Sequence, residues 1–362
     1  MQSIPPGTPS TRLLDIDQLL QRLETLTDSR HAKGLRYRLA PVLLLLILAK
    51  LSGQDQPSGI ADWVKHRGQQ LRRLLHLGWK RMPHHTTYRR LLQEVVRPAG
   101  LDRIVGAALQ SLLGVGHSDL IAIDGKTVRG VISPARPRGE HLLAAYLPEE
   151  GVVLLQVAAG DKENEITVAP ALLAGLDLRG KVVVGDAMHT QRRRSQQIVA
   201  AGGDYLWTAK GNLPTLRADI EHLFTANNRT VLGGHVPHDF RRWQQASKGH
   251  GRAERRTLTA SSELCGYSDW PGLGQVFRLE RQRRTARSGK QQQQVVYGLT
   301  SLSATAASAK RLLWLSRRYW GIENGLHYRR DVTFQEDRTR QTLGRAGHVM
   351  AALNNLIIGL LR

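Results

Sequence analysis

Two carboxylates follow short apolar runs in the middle of the chain: Asp124 closes the run LIAID, and Asp186 follows VVVG in GKVVVGDA. An acid released at the C-terminal end of a buried strand stands where sheet-based sites collect. Such an acid also serves as a loop cap, but two of them in one strongly basic chain favour a ligand role. Carboxylate oxygens are hard donors suited to Mg²⁺ or Mn²⁺, ions that also bridge substrate phosphates. Two such ions, about 3.5–4 Å apart, activate an attacking oxygen and stabilise a leaving one in phosphodiester cleavage. That chemistry calls for a third acid, and the candidate is Glu323. It is a single acid within RRYWGIENGLHYRR, surrounded by Arg317, Arg318, His327, Arg329 and Arg330. The competing use of Glu323 is an ordinary helical salt bridge, to His327 at i,i+4 or to Arg330 at i,i+7.

The bulk charge points to the same class of substrate. Among 362 residues, 52 Lys and Arg against 30 Asp and Glu give a net charge of +22, and the isoelectric point is about 10.9. Such an excess suits a polyanion, with double-stranded DNA foremost and a ribosomal or membrane surface as the alternatives. A single cysteine, Cys265, excludes an internal disulfide and a thiolate zinc cluster, and fits a reducing cytoplasm. The longest apolar run, LAPVLLLLILAKL, is too short for a bilayer span and carries Lys50, so it predicts a buried helix. MQSIPPGTPS lacks the apolar segment of a signal peptide. The expectation is a cytoplasmic, nucleoid-associated protein with no membrane partner.

Several cations and polar groups lie close in sequence to the acids. Lys126 and Arg129 follow Asp124, His189 follows Asp186, and Lys210 with Asn212 ends the strand-like YLWTAK. Each is a candidate DNA contact, as are Arg317, Arg318, His327 and Arg330 around Glu323. The run RRWQQASKGHGRAERR interleaves Trp243 with Arg241, Arg242, Lys248, His250, Arg252, Arg255 and Arg256, a composition that favours nucleic acid over a merely solvated face. Asn164 and Glu165 read as a helix cap with an acid in the first turn. His84 and His85 lack partners at metal-ligand spacing.

The elements that must position these groups change texture along the chain. Residues 1–115 read as a basic helical domain. Residues 116–225 read β-β-β-α-β-α-β, three meandering strands and then alternating units, with Pro170 expected near the first turn of its helix. That order predicts an α/β fold with a mixed sheet flanked by helices. Residues 226–305 read as a β-rich insertion with strands in RAERRTLTA, GQVFRLERQRR and QQVVYGLTSL. Residues 306–362 return to helix and carry Glu323.

Five segments, IAIDGKTVRG, KENEITVAPALLAGLDLRGKVVVGDAMHTQ, YLWTAKGN, GHGRAERR and RRYWGIENGLHYRRDVTFQED, resemble the successive motifs of bacterial DDE-class insertion-sequence transposases of the H-repeat-associated group. LILAKLSGQDQPSGIADWVK resembles that family's N-terminal domain. The resemblance implies a ribonuclease-H-like catalytic core with Asp124, Asp186 and Glu323 as the metal-binding triad, two Mg²⁺ or Mn²⁺ ions, and a homodimer on DNA. Asp124 and Asp186 lie 62 positions apart, and Glu323 a further 137. Related transposases carry a β-rich insertion in that second interval. The superfamily signature of Tyr, two residues, Arg, three residues, Glu, six residues and Lys falls here on Ser316, Tyr319, Glu323 and Arg330, keeping the glutamate and a final basic residue. The implied activity is cleavage at the ends of a mobile element and joining of the 3′ hydroxyls to target DNA. A domesticated, non-catalytic DNA-binding protein and a nuclease without strand transfer remain the alternatives.

Overall fold

LIAI and VVVG are apolar without alternation, the pattern of strands buried on both faces, and they form the centre of the sheet. The structure is a computed structural model describing residues 14–33, 35–113, 118–160, 163–225, 239–249 and 251–361; His250 lies outside them. Its strands are β1 (Leu120–Val128), β2 (Glu140–Leu147), β3 (Val152–Ala159), β4 (Val182–Gly185), β5 (Asp204–Ala209), β6 (Arg241–Gly249), β7 (Arg252–Ser261), β8 (Gln275–Thr285) and β9 (Gln291–Thr300). They make one nine-stranded sheet in the order β3-β2-β1-β4-β5-β9-β8-β7-β6. β1, β4 and β5 run parallel, and every other pairing is antiparallel. The mixed α/β sheet expected from the element order is therefore present.

Side-chain alternation along β1 and β4 sorts the helices onto the two faces. Leu120, Ala122, Val182 and Val184 share a core with Leu312, Leu313 and Leu315 of the Ala309–Arg318 helix and with Ile322 and Leu326 just beyond it. Ile121, Ile123 and Val183 belong to the opposite core, built with the Leu39–Leu51, Pro98–Leu113, Glu165–Ala174 and Ala346–Leu360 helices. The Leu39–Leu51 helix is buried nearly all round, as its composition requires. Among the described residues, no helix is long and apolar enough to cross a membrane.

Three local expectations are corrected. Asp124 does not end its strand: β1 continues to Val128 because β2 pairs with it that far, while the parallel pairing with β4 stops at Ile123↔Gly185. The basic run Arg241–Gly249 is itself a strand, β6, held in the sheet by β7 through backbone pairing that its polar side chains do not reveal. Pro170 sits inside the Glu165–Ala174 helix rather than in its first turn. Proline lacks the N–H that would bond the carbonyl four residues back. That carbonyl, Ile166 O, instead accepts a 3.1 Å hydrogen bond from Arg194.

Candidate functional site

The register that ends at Ile123↔Gly185 sets Asp124 beside Asp186 on neighbouring parallel strands. Alternation continues the series Leu120, Ala122, Asp124 and Val182, Val184, Asp186, so both acids belong to the face covered by the Ala309–Arg318 helix. That helix passes through Tyr319 into a π-helical turn, Glu323–His327. Two glycines let the turn approach the sheet. A Cβ on Gly325 would lie 2.3 Å from Tyr146 Oη, and one on Gly321 would lie 2.7 Å from Pro148 Cβ. These glycines therefore serve close packing against β2 and the residue after it.

One donor atom each from Asp124, Glu323 and His327 falls within 4.8 Å of the others. An aspartate, a glutamate and an imidazole form a donor set that fits a divalent cation. Glu323 is exposed and makes no ion pair with the surrounding cations among the described residues, so the helical salt-bridge use is absent here. Asp186 is not one of these three and is engaged otherwise. Its Oδ1 accepts from the Ala187 N–H at 2.6 Å and from Lys210 at 3.0 Å. Although partial burial would raise its pKa, these two partners hold Asp186 below the usual carboxylate range. Tyr319 donates its hydroxyl to Asp124 Oδ1 at 3.3 Å, and burial followed by the charges of Asp124 and Asp186 pushes its pKa well upward.

On the opposite face of β1 lies a second polar group, which sequence reasoning treats only as a helix cap. Asn164 does cap the Glu165–Ala174 helix through a capping box with Thr167. Glu165 is buried, accepts from His141 Nε2 at 2.9 Å, and lies 3.0 Å from His189 Nε2, off the hydrogen-bond line. Burial opposes ionisation, yet the two histidines outweigh it and bring Glu165 down to about 2. Gly125 makes room for this group, since a Cβ there would lie 2.4 Å from both Glu165 and His141.

The expected DNA contacts divide. Three are buried and paired within the chain. Arg330 is fully buried and forms a two-pronged pair with Glu336, at 2.6 Å for each prong. Lys126 is buried against Asp331 and Asp337. His189 is fully buried between Glu165 and Arg194. Arg330 is held by Glu336 just past the end of its helix, Lys126 by acids far along the chain, and His189 by Glu165 and Arg194. His327 is also buried and is directed toward Asp124. Asn212 is exposed and donates to the Ala187 carbonyl at 2.9 Å, which steadies the Asp186 turn. Arg318 pairs with Glu149 at 2.8 Å. Arg129, Lys210, Arg252, Arg255 and Arg317 reach solvent to differing degrees, and Arg256 is half-buried beside Glu254.

Arg255, Arg256 and Arg317 line a groove of about 450 Å³ together with Arg281, Arg283 and Trp320, the last only three residues before Glu323. Burial lowers the pKa of Arg256, and Arg317, Arg281 and Arg283 lower it further; burial and Arg283 do the same to Arg281. Cations held together against mutual repulsion suit a polyanionic ligand. Arg281 and Arg283 were readable only as part of a basic strand. Their place in this groove depends on β8 pairing with β7, through Arg256↔Arg281. The signal that could have exposed His327 is its spacing four residues after Glu323, which puts both on one helical face.

Residues 116–358 match the family model described as the transposase DDE domain, and residues 20–107 match one described as DDE_Tnp_1-associated. The chain is 30% identical to the provisionally named transposase YncI of Escherichia coli O157:H7, over 96% of this chain and 88% of YncI. It is 27% identical to YhhI of Escherichia coli K12, provisionally named an H repeat-associated transposase, over 96% of this chain and 91% of YhhI. Among solved structures, a piggyBac transposase synaptic complex with hairpin DNA aligns over 97% of this chain and 76% of that one. At 12% identity and a TM-score of 0.41, that likeness carries no argument.

Proposed function

The chain belongs to the transposase DDE-domain family, and from that premise we propose that it cleaves phosphodiester bonds at the ends of its mobile element and joins the 3′ hydroxyls to target DNA. The catalytic part is a ribonuclease-H-like core, drawn from residues 116–225 and 306–362. Residues 226–305 are a β-rich insertion and residues 1–115 an N-terminal helical domain, DNA-binding or transposase-associated. Since an element has two ends, the acting form is a pair of chains on double-stranded DNA. What supports this reading is the grouping of Asp124 with Glu323 and His327, the register that ends one residue before Asp124 and Asp186, and the arginine-lined groove.

Asp124, Asp186 and Glu323 would hold the divalent cations, Mg²⁺ or Mn²⁺. When bound, such ions favour ionisation of the attacking oxygen and stabilise charge on the leaving one. The chain itself supplies orientation and counter-charge. Tyr319 fixes one oxygen of Asp124 from the helix side, and the Ala187 N–H together with Lys210 lowers the pKa of Asp186 despite its partial burial. The groove arginines bind phosphates along the strand and so set its register relative to the acids. Arg129 and Arg252, both exposed, add to the positive charge that DNA meets. The salt-released counterions of such binding make affinity fall steeply with ionic strength.

The test is cleavage and strand joining on DNA carrying the element's ends, in Mg²⁺ and in Mn²⁺. Asp124→Asn, Asp186→Asn and Glu323→Gln should each abolish both products while retaining end binding. Cut ends without joined product from the unaltered chain would instead identify a nuclease. Near-normal cleavage by Glu323→Gln would remove Glu323 from the reaction.

A further inference from the structure

Resting on the reading just given, the remaining anomaly of the site is His327. Its side chain is 5% exposed, yet neither ring nitrogen has a hydrogen-bond partner. Leaving a buried polar group unmet costs about 1–3 kcal/mol, so a ring in this position wants a ligand. Nε2 lies 3.3 Å from Asp124 Oδ2, near enough for electrostatic contact but outside hydrogen-bond geometry. A histidine that merely oriented Asp124 would donate along the line to that oxygen. This one stands beside the carboxylate, as two donors to a shared third atom do.

The local backbone gives the same placement. Glu323 and His327 open and close the π-helical turn, a deviation from α-helix that recurs at functional sites. Both side chains project toward the Asp124 face, and one donor atom from each lies within 4.8 Å of the other and of an Asp124 oxygen. Gly325 between them carries no side chain, which lets the turn lie close against Tyr146 of the sheet. Imidazole is a softer donor than carboxylate and suits first-row transition cations, whereas Mg²⁺ prefers an all-oxygen shell.

We propose that His327 is a third ligand of the cation held by Asp124 and Glu323, and that its nitrogen biases this position toward Mn²⁺ over Mg²⁺. The pairing of one imidazole with two carboxylates explains the buried, unpartnered ring without any role in contacting DNA.

The experiment uses the full chain without DNA and Mn²⁺ as the probe. Electron spin-echo modulation reports whether nitrogen is bound to the ion, and calorimetry gives the affinities for Mn²⁺ and Mg²⁺. The wild-type chain should show nitrogen modulation. His327→Leu, checked by thermal melting, should lose it and bind Mn²⁺ at least about tenfold more weakly, with a smaller change for Mg²⁺. Mn²⁺ bound without nitrogen modulation, at a site that Asp124→Asn removes, would overturn the role of His327 and leave the metal-dependent transposase reading standing. Nitrogen modulation that persists in His327→Leu would overturn it equally. Mn²⁺ binding indifferent to both Asp124→Asn and Glu323→Gln would overturn the underlying reading as well.

Discussion

Replacing Arg330 by alanine separates its observed place from the DNA contact that its sequence neighbourhood suggests. The guanidinium has no exposed surface. It donates twice to Glu336, at 2.6 Å each, and once to Gln156 at 3.1 Å. Gln156 in turn donates to Asp102 and accepts from Asn355. Burial would raise the Glu336 pKa, but Arg330 overrides it and holds Glu336 ionised. Arg330→Ala therefore leaves a buried carboxylate without its counter-charge, which costs about 3–5 kcal/mol. An exposed pair would lose only about 0–1 kcal/mol. The thermal midpoint should fall by about 4–7 °C, read by calorimetry, with a matching loss in urea titration. Replacing both partners, Arg330→Met with Glu336→Leu, should recover much of that loss, because two apolar side chains leave no orphaned charge. A single variant of unchanged stability and weakened DNA binding would refute the burial argument. A double variant less stable than Arg330→Ala would refute the account of its cost.

Further outcomes are expected from other parts of the molecule. Arg255, Arg256 and Arg281 changed together to alanine should weaken DNA binding and flatten the slope of log affinity against log salt by roughly 0.9 for each phosphate no longer neutralised; an unchanged slope in filter binding would return the groove to solvent. Gly325→Ala should reduce strand cleavage more than end binding, since its Cβ would collide with Tyr146 Oη at 2.3 Å and displace the Glu323 turn; full cleavage would show that the turn tolerates the shift. His348 gives a pH signature. Burial disfavours its charge, but hydrogen bonds to Asp102 and Glu140 prevail and raise it to about 9. A folded pKa above the unfolded one contributes stability that is complete below about pH 6.5 and lost as pH rises through about 9. Unfolding free energy should therefore decline by on the order of 2 kcal/mol across that window, and His348→Gln should remove this decline in urea titrations followed at successive pH values.

The chain's own pattern was enough to determine its central elements. LIAI and VVVG could only be buried strands, and LAPVLLLLILAKL only a buried helix, because their apolar residues leave no solvent face. The positions of Asp124 and Asp186 directly after such runs made them candidates from composition alone. Glu323 stood out as a single acid among cations, and the family motifs linked it to the other two. Its separation from the sheet along the chain carried no measure of its distance in space.

Tertiary structure decided how each charge is used. An arginine has the same sequence signature whether its guanidinium meets water, phosphate or a buried acid. The turn at Gln335, with its positive φ, brings Glu336 back to Arg330, and only the docking of Asp331 and Asp337 near β1 covers Lys126. β1 begins as an apolar run without alternation, so the face each of its residues addresses depended on which helix packed there. The parallel register with β4 then placed Asp186 beside Asp124, and the π-helical turn presented His327 with Glu323. Local sequence fixes backbone preference and apolar pattern because those act over a few residues. The pairing of charges is set by contacts between segments far apart in the chain, so it emerges only when the sheet and its helices are assembled.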